Sequence, residues 1–96
     1  MAEELFEWDP RKNAENQRRH GVAFEDAQQA FLDPQRRIAQ DHGHSEREQR
    51  FFCFGRAGAG ILTVRYTMRG RRIRIIGAGY WRKGRKAYEK ANQIHG

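Results

Sequence analysis

The apolar positions are spaced first as a strand, then as helices, then again as strands. Leu5-Phe6-Glu7-Trp8 is a short aromatic and apolar run that reads as a strand. Asp9-Pro10 follows as an N-cap with proline at the first helical position, which predicts a helix from Pro10 to Arg19 or His20, stopped at Gly21. Ala14 is the one clear core residue between those limits, so this helix is expected on the surface, held by its ends. Val22 to Leu32 predicts a second helix with Val22, Phe24, Ala27, Ala30 and Phe31 as its apolar stripe, ended by Asp33-Pro34. The break at Gly21 makes the pair an elbow or hairpin.

After Pro34 the spacing changes. Arg36 to Gln40 reads as a short strand and Asp41-His42-Gly43-His44-Ser45-Glu46 as a loop. Three strand-like runs follow: Arg47 to Gly55, Ile61 to Met68, and Arg72 to Ala78. Ala57-Gly58-Ala59-Gly60 and Arg69-Gly70 are links of hairpin length, so the runs form an antiparallel meander of three to four strands. A last helix is predicted from Trp81 to about Ile94, with Tyr88, Ala91 and Ile94 inward. The result is one α+β domain with helices over one sheet face and the other face left open.

Alternation along these strands then locates the charge. Leu62, Val64, Tyr66 and Met68 share one face and Thr63, Arg65 and Thr67 the other. Ile73 and Ile75 point one way, Arg72, Arg74 and Ile76 the other, and Glu48 and Arg50 point together, opposite Gln49, Phe51 and Cys53. Matched registers would put Glu48, Arg50, Arg65, Arg72 and Arg74 on one polar face. With 19 Lys and Arg against 12 Asp and Glu, the net charge is +7 and the pI about 10.3. Arginine dominates that excess, and its planar guanidinium suits bidentate contact with phosphate. A polyanion, RNA above all, is the expected ligand.

Other chemistry has little support. Cys53 stands alone in an apolar run and reads as a small buried hydrophobe. His42 and His44 lie in a polar loop, where solvation is the ordinary state, and no Cys/His cluster at metal spacing occurs. Neither cofactor nor metal is expected. No apolar leader or membrane-length stretch is present, so a reducing, cytoplasmic location is expected, without contact with a membrane.

Phe6-Glu7-Trp8-Asp9, Lys12, Asn16, His20-Gly21-Val22, Phe24, Ala27 and Phe31 together resemble the opening signature of the BrnT toxin family. His44-Ser45-Glu46, Glu48, Arg50-Phe51, Gly55 and Arg72-Ile73-Arg74-Ile75-Ile76 resemble its second half, so the likeness runs from about Phe6 to Glu89. It implies a ribonuclease toxin of a type II toxin–antitoxin pair with a RelE-like fold, inhibiting translation by cutting RNA. It also implies a heteromeric complex with a BrnA-like antitoxin, through which operator DNA is reached. The chain departs from the family pattern at Gly79, where an arginine is expected, and at Ala23, where a capping serine is expected.

Cleavage of RNA without a metal uses the ribose 2′-hydroxyl as nucleophile and needs a base, an acid and positive charge on the phosphate oxygens. His20 is the first candidate for proton transfer, because it matches the His-Gly-Val block and histidine suits the task near neutral pH. Otherwise it complements the helix dipole or packs on Trp8. Glu48 is its candidate partner, as base or as the group orienting His20, unless it is spent on a salt bridge to Arg50 or Arg65. Arg50, Arg65 and Arg74 are the candidates for phosphate stabilisation. Lys12 lies about two helical turns before His20 and so on its side, a candidate for the RNA backbone together with Arg72, Arg82 and Lys83. Arg82, Lys83 and Arg85 are the candidates to replace the arginine missing at position 79, on a helix weakened by Gly84. The alternative is a module of the same fold that binds nucleic acid or an antitoxin without cutting.

Overall fold

The computed structural model describes residues 5–44 and 47–93. Ile94, expected on the inner side of the last helix, and Ser45 and Glu46 of the predicted loop lie outside them. The order is β1 (Phe6–Trp8), α1 (Pro10–His20), α2 (Phe24–Ala27) running into a 3-10 turn (Gln28–Leu32), then β2 (Arg37–Gln40). A second 3-10 turn (His42–His44) leads to β3 (Arg50–Ala57), β4 (Gly60–Arg69), β5 (Arg72–Gly79) and α3 (Arg82–Ala91). The sheet has five strands in the order β1-β5-β4-β3-β2. It is mixed rather than a pure meander, because β1 joins the edge of β5 in parallel while the other pairs are antiparallel.

Capping defines α1 as expected: the Asp9 side chain accepts from Arg11 N at 2.8 Å, and Gly21 ends the helix in the left-handed region at φ 70°. What α1 buries is different. Ala14 is exposed, and the helix is docked by Asn13 and Asn16, both buried. Asn16 Oδ1 accepts from Ala78 N at 3.1 Å, while its Nδ2 lies 2.9 Å from the carbonyls of both Ala78 and Val22. Asn13 Oδ1 accepts from Phe24 N at 2.9 Å, so α1 supplies the cap that Ala23 cannot. The predicted second helix is shorter than its apolar stripe, with only Phe24–Ala27 in α geometry before the 3-10 turn. Its stripe is nonetheless inward: Val22, Phe24, Ala27 and Ala30 are buried and Phe31 half-buried.

These segments cover one sheet face. A chain of rings runs through the layer, with Phe6 to Phe31 at 5.3 Å, Phe31 to Tyr66 at 5.1 Å and Tyr66 to Phe51 at 5.5 Å between centroids. Cys53, Leu62, Val64, Ile75 and Ala78 complete the core. Gly55 is required here because a Cβ would overlap the Ala30 backbone, so the 3-10 turn lies directly on β3.

The opposite face is not wholly open, as alternation alone suggests. α3 covers one end of it, touching Phe54 and Thr63 through Gly84, where a Cβ would overlap Thr63 Oγ1. Gly84, a poor helix former, is what lets this helix reach the sheet. Tyr88 anchors it: fully buried, its hydroxyl donates to Asp33 Oδ2 at 2.7 Å, the oxygen that also accepts from Arg56 N at 2.8 Å. Ala91, expected inward, is exposed.

Candidate active site

The uncovered end of this second face carries the arginines. Arg50 pairs with Thr67, Thr67 with Arg74 and Arg74 with Glu7, while Phe52, Arg65 and Gly77 form the next row. Arg50, Arg65 and Arg74 therefore share one face, as alternation predicts. One detail of β5 differs: Arg65 pairs with Gly77 but Tyr66 with Ile75, so Ile76 is an extra, unpaired residue. This bulge puts Gly77 opposite Arg65 and turns Ala78 into the core, which simple alternation from Arg72 cannot foresee.

Three carboxylates are set among these cations. Glu7 holds Arg74 at 2.8 Å and Arg72 at 3.9 Å. Glu48 lies 3.7 Å from Arg50 and 3.6 Å from Arg69, and Asp41 lies 3.7 Å from Arg65. Same-face neighbours on adjacent strands are within reach of one another, so the carboxylates offset repulsion that would otherwise splay the guanidinium groups. Glu48 precedes β3 instead of lying within it, yet still reaches Arg50.

Beside Arg65, α1 closes a groove of about 220 Å³ lined by Lys12, Arg19 and His20 with Arg65, Gly77 and Trp81. Helical spacing brings Lys12, Arg19 and His20 to one side of α1, and the Asn16 hydrogen bonds to Ala78 fix that side against β5. His20 is in the last turn of α1, packed edge-on against Trp81 at 5.2 Å and 90°. Its aromatic neighbour is thus Trp81 and not Trp8, which packs on Phe24. A Cβ at Gly79 would overlap the same Trp81 indole.

A second depression, about 440 Å³, is lined by Gly43, His44, Arg47, Glu48 and Arg50. His20 and Glu48 thus line separate depressions, and no contact joins them; the predicted partnership of these two side chains is not formed. Nor do Arg82 and Lys83 reach either one. Lys83 borders an apolar groove with Phe52 and Phe54, and Arg82 lies beside Gly60 and Tyr80.

Alternation missed Asp41, Glu7 and Trp81, which hold Arg65, Arg74 and His20. The Asp41-x-x-His44 spacing was the available signal for Asp41, whose carboxylate meets His44 Nδ1 at 3.0 Å. Glu7 becomes visible only through the parallel pairing of β1. Among the described residues, no group of three or more His, Cys, Asp or Glu is arranged to hold a metal ion, and no helix is long and apolar enough to cross a membrane. Burial pushes the Cys53 thiol and the Tyr66 hydroxyl up to about 12 each, which removes both as nucleophiles at neutral pH.

No curated protein matches the chain. A family model described as the ribonuclease toxin, BrnT, of type II toxin–antitoxin systems matches residues 8–84. That description implies an RNA substrate and an antitoxin partner, in keeping with the cationic face and its histidine-bearing groove. With most of its length so matched, the chain belongs to the BrnT family of ribonuclease toxins of type II toxin–antitoxin systems.

Proposed function

We propose that the protein is an endoribonuclease that cuts RNA by attack of a ribose 2′-hydroxyl on the adjacent phosphate, without a metal ion, at the open end of the sheet. The observation that carries this reading is the groove in which His20 and Lys12 meet Arg65. In it, Arg65 holds a phosphate oxygen, Lys12 and Arg19 follow the RNA backbone, and His20 moves one proton. Arg50 and Arg74, kept in place by Glu48 and Glu7, extend the cationic track across the strands, with Arg72 at its border. Glu48 acts in this scheme by orienting Arg50. The RelE-like fold belongs to this proposal, resting on the family likeness and on the α+β class of the chain. The protein acts in the cytoplasm, is neutralised in a heteromeric complex with a BrnA-like antitoxin, and reaches operator DNA through that antitoxin.

Induced expression without a partner tests this. Growth arrest and fragmented RNA are expected, both abolished in His20→Ala and Arg65→Ala. Normal growth and intact RNA from a folded, abundant protein would sink the enzyme reading. One observation favours the non-catalytic alternative: the Trp81 indole fills the space at Gly79, where the family pattern leads us to expect an arginine. Under that alternative the protein binds RNA, or its antitoxin, and leaves RNA whole.

A further inference from the structure

The turn after β2 holds a side-chain pair that the proposed reaction has not used. Asp41 N donates to the Arg50 carbonyl at 2.7 Å, which ties the turn to the start of β3. The chain then folds back, with His44 N donating to the Asp41 carbonyl at 3.3 Å. The His44 ring nitrogen Nδ1 lies 3.0 Å and 3.2 Å from the two carboxylate oxygens of Asp41. Asp41 is buried, whereas the His44 side chain is 62% exposed. One oxygen, Oδ2 of Asp41, serves both His44 Nδ1 and the Arg65 guanidinium.

A carboxylate on Nδ1 selects the tautomer that leaves Nε2 to react and balances the ring's charge when it takes up a proton. Topology supplies the second argument. Arg65 is on the central strand β4; α1 and His20 dock from the β5 side, while Asp41 and His44 arrive from the β2–β3 side. Arg65 therefore meets the His44-bearing turn through Asp41 on one flank and lines the groove with His20 on the other, while His44 itself lines the neighbouring depression with Glu48 and Arg50.

Resting on the ribonuclease reading above, we propose that His44 is the second proton-transfer residue of the site and Asp41 its positioning residue. One histidine takes the 2′-hydroxyl proton as the O2′–P bond forms. The other gives a proton to O5′ as the P–O5′ bond breaks. The products are a 2′,3′-cyclic phosphate and a 5′-hydroxyl, and solvent restores the two rings to their starting protonation.

The test is single-turnover cleavage of a mixed-sequence RNA pool by the full chain, with RNA binding measured alongside. His44→Ala should slow cleavage by about 100-fold or more with binding little changed, and added imidazole should restore part of the rate. His44→Gln, which keeps the polarity, should lose as much. Asp41→Asn should slow cleavage by about 10-fold or more at unchanged binding, with no response to imidazole. Cleavage at the wild-type rate in His44→Ala and His44→Gln would overturn the inference and leave the ribonuclease reading standing. So would loss of binding and cleavage together without imidazole rescue. Intact RNA with the wild-type protein would overturn both.

Discussion

Replacing Asn16 with alanine should be among the most damaging changes available outside the apolar core. Its side chain makes three hydrogen bonds in a buried position: two donated, to the carbonyls of Val22 and Ala78, and one accepted from Ala78 N. β1 pairs with β5 only from Ile73 to Ile75, so past that point the edge of β5 relies on this amide. At about 1 kcal/mol net for each of the three bonds, the loss is about 3 kcal/mol. For a chain of this size that corresponds to a Tm lower by about 12 °C or more. Thermal unfolding followed by circular dichroism measures it, with Ala14→Lys as the comparison. Ala14 is exposed, so that change should stay within about 0.5 kcal/mol of wild type. An Asn16→Ala loss under about 1 kcal/mol, or a comparable loss in Ala14→Lys, would refute the claim that asparagines and not an apolar face dock α1.

Gly84→Ala should lower Tm even though helix propensity alone favours alanine by about 1 kcal/mol, because the added methyl meets Thr63 Oγ1; a higher Tm would contradict the close approach of α3. Gly79→Ala should likewise lower Tm and also weaken RNA cleavage, since the Trp81 indole that packs on His20 must move; unchanged melting would contradict that packing. Acid titration probes Asp33. Burial acts to raise its carboxyl, but the N–H groups of Arg56 and Gln35, the Tyr88 hydroxyl and the Arg56 charge outweigh it, so the group sits below its ordinary value. A carboxyl lowered on folding stabilises the native state above that ordinary value, 3.8, and the contribution is lost as pH falls below it through the native value. Urea midpoints should therefore fall below about pH 4 in the wild type, and Asp33→Asn should be less stable at neutral pH with a flatter acid limb. An identical acid limb in both proteins would show that Asp33 is not responsible.

Much of this fold was legible in local chemistry. Asp9, Pro10 and Gly21 mark the start of α1 and its end to within one residue because capping and left-handed backbone are short-range effects. The alternation of β4 separates Arg65 from Val64 and Tyr66 because a strand has a period of two. Long-range pairing was not legible in the same way. Nothing local in Phe6-Glu7-Trp8 says that it lies parallel to β5, and so nothing local says that Glu7 will hold Arg74. The extra residue at Ile76 breaks the period where it matters most, beside the groove. Asn13 and Asn16 read as ordinary polar positions on a surface helix, since their partners are backbone atoms at Phe24 and Ala78. Spacing put Lys12 and His20 on one side of α1, and both line the groove. For His20 and Glu48 the inference failed, because Glu48 precedes β3 and turns to Arg50 and Arg69.

The reaction itself is tested most directly by the ends it leaves on RNA. Purified protein, incubated with RNA in the presence of a metal chelator, should generate fragments with 5′-hydroxyl and 2′,3′-cyclic phosphate termini, and Arg65→Ala should generate few or none. Fragments bearing 5′-phosphates, or cleavage that persists undiminished in Arg65→Ala, would contradict a 2′-hydroxyl attack centred on Arg65.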